Sequence, residues 1–169
     1  PNELVDIRGG GGGGNNSNPK NPCDLIKKLK KDILFKQKMT NLQTATAYSF
    51  EVVSTAYDNP TPDSQPTSIY RFLDFSGDIS KPQVEYPYYP QIKGIMHCHY
   101  QGLLSVYSVT DLEDIYLKLK NPLVTDDLFS ALVTKAGTRY LISISNRAEF
   151  IAFGDKYLLT LKKQEKLAI

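Results

Sequence analysis

Both histidines of the chain fall in one tripeptide, His97-Cys98-His99. Imidazole is the commonest side-chain metal ligand, and on an extended strand residues two apart point to the same side. The tripeptide therefore reads as a two-pronged metal clamp, with Cys98 turned to the opposite face. Twelve positions beyond His99 stands Asp111, in a Ser108-x-x-Asp111 pattern that suits the head of a helix, where an anionic side chain is favoured. A loop that reverses the chain between them would bring this carboxylate back to the strand end. Two imidazoles and one carboxylate leave the fourth tetrahedral position open to water, which separates a catalytic zinc from a closed structural one. Each half also has an ordinary reading: Ser-x-x-Asp is a common helix cap, and His-x-His pairs occur in strands without metal. Glu51, on an upstream segment rich in aromatic and β-branched residues, supplies a further carboxylate.

Positioning these groups falls to a series of short elements. Asn21 as N-cap and Pro22 at the first helical position open an amphipathic helix bearing Leu25, Ile26, Leu29, Ile33 and Leu34, predicted to end within 38–46. Its lysines (Lys27, Lys28, Lys30, Lys31, Lys36, Lys38) read as the solvated side. A strand over 48–57 carries Glu51, a proline-marked loop covers 58–67, and a second strand covers 69–75. An irregular Pro- and Tyr-rich segment, 81–91, whose aromatic residues either line a groove or pack the loop, leads to the histidine strand, 92–99. Ser108 to Leu119 is a helix with Leu112, Ile115, Tyr116 and Leu119 on one side. Strands over 129–135 and 138–144 form a hairpin about Ala136-Gly137. Asn146-x-x-Glu149 opens a last helix with Phe150, Phe153, Tyr157, Leu158 and Leu161 as its apolar side. This order predicts a mixed α/β or α+β layer fold, neither a repeat nor a doubly wound sheet.

Taken together, the residues resemble the motif of the JAMM metalloproteases, also called MPN-plus or JAB domains. That motif is a Glu on an early strand, then His-Ser/Thr-His, seven residues, Ser, two residues and Asp. Here Glu51 is followed after 45 residues by His97-Cys98-His99, then eight residues, Ser108, two residues and Asp111. The resemblance spans roughly 24–165. It departs where Cys98 replaces the small hydroxyl residue, where Tyr100 replaces Pro, and in a loop one residue longer. The resemblance implies an MPN/JAB-like mixed sheet flanked by helices, with cytidine-deaminase-like layering, over 21–169. It further implies zinc held by His97, His99 and Asp111, Glu51 as general base, and Ser108 as hydrogen-bond donor to the oxyanion. Glu85 is nearer to the histidines but sits in the Pro- and Tyr-rich loop, so Glu51 is preferred. The implied reaction is hydrolysis of peptide or isopeptide bonds, with a protein or peptide substrate that includes ubiquitin-like modifiers or the chain's own polypeptide. The alternative is an MPN-type scaffold that keeps the fold and only binds a partner, at the end of a tethered surface or secreted protein.

Composition frames these readings. With 169 residues, 41% of them hydrophobic and 22% charged, the chain suits one domain with its own core. Six of its eleven glycines form the run Gly9–Gly14, followed by Asn15, Asn16, Ser17, Asn18 and Pro19, so residues 1–20 read as a flexible linker. A phosphate loop is excluded there, because no Lys-Ser or Lys-Thr pair follows. A net charge of +2 gathers neither nucleic acid nor anionic lipid, and no run approaches the roughly 18 apolar residues of a membrane span. Cys23 and Cys98 are too few for a disulfide framework. A chain that starts at Pro1 reads as part of a longer polypeptide, and its glycine tether favours a cell-surface or secreted location over the cytoplasm.

Overall fold

A computed structural model describes residues 22–60, 68–87, 89 and 91–158. The linker expected over 1–20, most of the expected loop 58–67, and Leu161 lie outside the described residues. The first helix, α1 (Pro22–Lys31), carries Asp24 in its first turn and Lys28, Lys30 and Lys31 in its last, each sign matched to the helix dipole. The expected single helix is interrupted at Asp32, whose backbone is extended (φ −72°, ψ 120°). Its carboxylate caps a second helix, α2 (Ile33–Ala45), by accepting from the Phe35 amide at 2.8 Å. The same buried carboxylate accepts from the Ser68 hydroxyl and the Ile69 amide, each at 2.8 Å. The break resets the helical phase. Ile33, expected on the apolar side, is 51% exposed, and α2 buries Phe35, Met39, Leu42 and Ala45 instead.

Strands β1 (Val52–Asp58), β2 (Tyr70–Ser76), β3 (Ile92–His99), β4 (Phe129–Thr134) and β5 (Arg139–Ser143) form one mixed sheet in the order β2-β1-β3-β4-β5. β3 and β4 are parallel and every other pair is antiparallel. The parallel pair needs a crossover, supplied by α3 (Val109–Leu119). The β4–β5 hairpin turns where expected, with Gly137 at φ +83°, a conformation few other residues adopt cheaply. The fold is thus a mixed α+β layer arrangement, as the order of elements predicted. Helices α1 and α2 cover one face, where Leu29, Phe35 and Leu42 pack with Met96, Cys98, Ala131 and Val133. Helix α3 covers the other, where Ile115 and Leu119 pack with Val53, Tyr57, Ile95 and Leu128. β3 and β4 are interior strands buried on both faces, so only alternation decides which of their residues reaches which layer.

The last helix changes pitch within the described residues. α4 (Arg147–Phe153) starts at the Asn146 cap, which accepts from the Glu149 amide at 3.1 Å, and passes into a π-helical turn, Gly154–Leu158. This change of pitch divides the expected apolar side. Phe150 packs into the α3 layer and Leu158 is buried, whereas Phe153 (42% exposed) and Tyr157 (47%) lie against each other at the surface. Gly154 is required by contact, since a Cβ there would sit 2.1 Å from the Tyr116 ring. Arg147 fixes α4 to the end of α3, its guanidinium donating to the carbonyls of Leu119 (2.9 Å), Asn121 (2.7 Å) and Val124 (2.6 Å). No helix among the described residues is long and apolar enough to cross a membrane.

Candidate metal centre

His97 and His99 stand at the C-terminal end of β3 on the face covered by α3, their ring centres 5.3 Å apart. Asp111 reaches them from the first turn of α3. His97 Nε2 lies 3.2 Å from Asp111 Oδ1, and His99 Nε2 lies 3.3 Å from Asp111 Oδ2. The cap that starts α3 also sets this carboxylate: Ser108 Oγ accepts from the Asp111 amide at 3.2 Å, and the Ser108 amide donates to Asp111 Oδ2 at 2.6 Å. The helix-cap reading of Ser108-x-x-Asp111 and the ligand reading therefore coexist in one geometry.

The tautomer of His99 follows from its other nitrogen. Nδ1 lies 2.6 Å from the Leu104 carbonyl, which can only accept, so Nδ1 carries a proton; Nε2, turned to Asp111, donates to that carboxylate when the ring is protonated and is free to ligate a metal when it is not. Metal-binding histidines are held in this way. His97 Nε2 is buried, and for all its proximity to Asp111 it makes no hydrogen bond. Leaving such an atom unpaired costs about 1–3 kcal/mol, so a ligand at this position would relieve it. A tetrahedral ion with bonds of about 2.0–2.1 Å sets its ligands about 3.3 Å apart, close to both nitrogen–oxygen separations. One ligand atom from each of the three residues lies within 4.8 Å of the other two, and this group could hold a metal ion. Cys98 points into the α1/α2 layer, where burial pushes its thiol up to about 11, so it stands outside the ligand set.

Glu51 does not lie on the strand expected over 48–57. The Tyr48 amide closes the end of α2 by donating to the Ala45 carbonyl at 2.9 Å, and β1 begins only at Val52. Glu51 sits at the junction before it, donating to the Pro82 carbonyl (2.8 Å) and accepting at its own carbonyl from the Gly77 amide (2.9 Å). Its Oε2 accepts from the Val84 amide at 3.1 Å. Burial raises the Glu51 carboxyl above the ordinary range. The Val84 amide, His97 and His99 pull against this, and Asp111 adds to it, so all three candidate ligands act on its charge. Glu85, the other carboxylate considered, is exposed and paired with Lys81 at 3.0 Å. Burial would raise Asp111 too, but the two imidazoles and the Ser108 amide outweigh it and hold this carboxyl well below its usual range. His99 is lowered by burial and raised more strongly by Asp111 and the Leu104 carbonyl, so its pKa ends above the ordinary value.

Several contributors carry no sequence signature. The Leu104 carbonyl and the Val84 amide are backbone groups, and any residue type would supply them. Tyr107 directly precedes the cap; its ring meets His97 edge-on at 6.0 Å while its hydroxyl donates to Ser130 Oγ at 3.1 Å. Tyr86, in the segment read as groove or packing, does both. It packs into the α3 layer, donates to Asp114 Oδ2 at 2.9 Å, and lines a cleft of about 380 Å³ with Val84, Glu85, Asp114, Leu117 and Lys118. No protein-family model matches this sequence, and no match was found among curated proteins or solved structures.

Proposed function

We propose that the domain is a JAMM-type zinc hydrolase, with MPN/JAB-like layering, that cleaves peptide or isopeptide bonds. The observation that carries this reading is the meeting of His97, His99 and Asp111 around a buried, unpaired His97 Nε2. A donor set of two imidazoles and one carboxylate suits zinc with an open position. When bound, zinc would supply Lewis acidity, lowering the pKa of water from about 16 to about 7.

The chain's own residues supply the remainder. Glu51 is the group to hold and move the proton: a carboxyl raised by burial is better matched to neutral pH than an exposed one, and the Val84 amide fixes one of its oxygens. Ser108 Oγ accepts from the Asp111 amide, so its own hydroxyl proton remains to stabilise developing negative charge on a carbonyl oxygen. Val84, whose amide holds Glu51, also lines the cleft between Val84–Tyr86 and α3. Substrates of this reading are proteins or peptides, among them ubiquitin-like conjugates and the chain's own polypeptide.

Zinc per chain by elemental analysis, together with a peptide-library and conjugate cleavage screen, tests the proposal. The parent and Glu51→Gln should each hold about one zinc, and His97→Ala/His99→Ala should hold none. Glu51→Gln should lose about 10²- to 10⁴-fold in turnover, the usual contribution of a general base. A parent that takes up no zinc even when supplied with it ends the hydrolase reading. Zinc without cleavage of any substrate would leave a metal-bearing scaffold.

A further inference from the structure

The loop after β3 and the first residue of α3 expose four apolar side chains within seven positions: Leu103 (45%), Leu104 (74%), Val106 (49%) and Val109 (48%). The stretch 100–110 contains no Lys, Arg, Asp or Glu, although 22% of the chain is charged. The loop is fastened at several points, most of them on its backbone. Leu104 is bound through its carbonyl to His99, Ser105 through its carbonyl to the Tyr140 hydroxyl (2.9 Å), Leu103 through its amide to the Tyr100 carbonyl (3.2 Å), and Tyr107 through its hydroxyl to Ser130. A fastened loop that still turns apolar side chains to water presents a surface for something apolar. Because it joins His99 to Asp111, that surface borders the metal centre itself.

We propose that the Leu103–Val109 segment is a specificity subsite, which selects polypeptide segments carrying uncharged apolar side chains next to the bond to be cut. The assignment of occupant rests on the hydrolase reading and on two features of the loop. Its continuity with His99 and Asp111 places its occupant beside the reacting bond. Its lack of charge leaves an acidic or basic segment, a phosphate or a lipid headgroup without a counter-charge to replace lost hydration.

The test uses binding, so that it stands apart from turnover. Zinc-supplied Glu51→Gln is offered an array of extended synthetic peptides that vary one position through all residue types, and affinities of the best peptides are measured by fluorescence anisotropy. Peptides with Leu, Ile, Val or Phe at that position should bind best. Leu103→Asp and Val106→Asp in the same background should weaken them about 10- to 100-fold, the worth of burying one such side chain, with zinc content and melting temperature unchanged. These positions are chosen because the Leu104 backbone holds His99. Equal binding of all residue types, or affinities that the two substitutions leave intact, would overturn the proposal. A dimer that Val106→Asp converts to a monomer would overturn it in favour of a second copy of the chain, and lost sedimentation with neutral phosphatidylcholine vesicles in favour of a membrane. Protein that binds no zinc would end the hydrolase reading separately, while the peptide array still reports on the loop.

Discussion

Adding zinc to metal-free protein should raise its melting temperature, and the size of the rise should grow with pH. The ligand atoms already lie within 4.8 Å of one another and need close only to about 3.3 Å, so binding requires small shifts of side chains rather than refolding. At free zinc about a hundredfold above the dissociation constant, linkage gives about 2.7 kcal/mol. For a domain of this size that corresponds to roughly 5–11 °C in melting temperature.

The pH dependence follows from the two perturbed groups. His99 has a raised pKa, so without metal its pairing with Asp111 stabilises the fold fully below the unfolded value, about 6.5, and is lost as pH rises through the folded one. Asp111 has a lowered pKa, so its contribution is present above its unfolded value, about 3.9, and is lost only as pH falls through the folded one. Metal-free protein should therefore weaken as pH rises above about 6.5. Zinc requires unprotonated imidazoles, and each proton it must displace costs about 1.4 kcal/mol per pH unit. The increment from zinc should thus widen with the same rise in pH. Melting followed by circular dichroism, with and without zinc after chelator treatment, measures both trends. An increment that is absent, that narrows with rising pH, or that survives in His97→Ala/His99→Ala would refute the reasoning.

Ser108→Ala should lower turnover about a hundredfold or more and cost about 0.5–2 kcal/mol of stability through the lost cap, with zinc stoichiometry kept; a variant that loses its zinc would instead place Ser108 in the metal's support. Cys98→Ala should hold as much zinc as the parent and lose about 1 kcal/mol in denaturant unfolding, and a fall in zinc content would show the thiol to be a ligand. Asp32→Ala removes the α2 cap and the acceptor of the Ile69 amide, an expected loss of about 1–3 kcal/mol, with Asp32→Asn losing less; unchanged unfolding midpoints would contradict the structural role given to this carboxylate.

Sequence was most informative where the structure obeys a short-range rule. Two-residue alternation on β3 is enough to put His97 and His99 together and Cys98 opposite, and Ser108 with Asp111 at a three-residue interval is enough to start α3. Gly137 marks its hairpin for the same local reason. What escaped depends on partners distant in the chain. Asp32 breaks a continuous helical pattern because Ser68 and Ile69 need its carboxylate. Glu51 is drawn off the strand by Gly77, Pro82 and Val84. Arg147 carries no signal of its role in the sequence, yet it collects three carbonyls at the end of α3. The family-level resemblance added roles for Glu51 and Ser108 that no periodicity contains, and these await the measurements above.

The interior position of β3 sets the tolerance of the site to insertions and deletions. β3 is bonded on one side to β1, with Val53 opposite His97, and on the other to β4, with Leu132 opposite His97. A residue deleted within 92–96 cannot be absorbed by sliding one neighbour without unmatching the other. If the pairing is kept, the deletion reverses the faces, burying the imidazoles in the α1/α2 layer and turning Met96 and Cys98 toward Asp111. Length changes in 100–107, by contrast, leave both ladders untouched. Lineages of this domain should therefore vary freely in the length of that loop and keep the count of residues along β3 fixed.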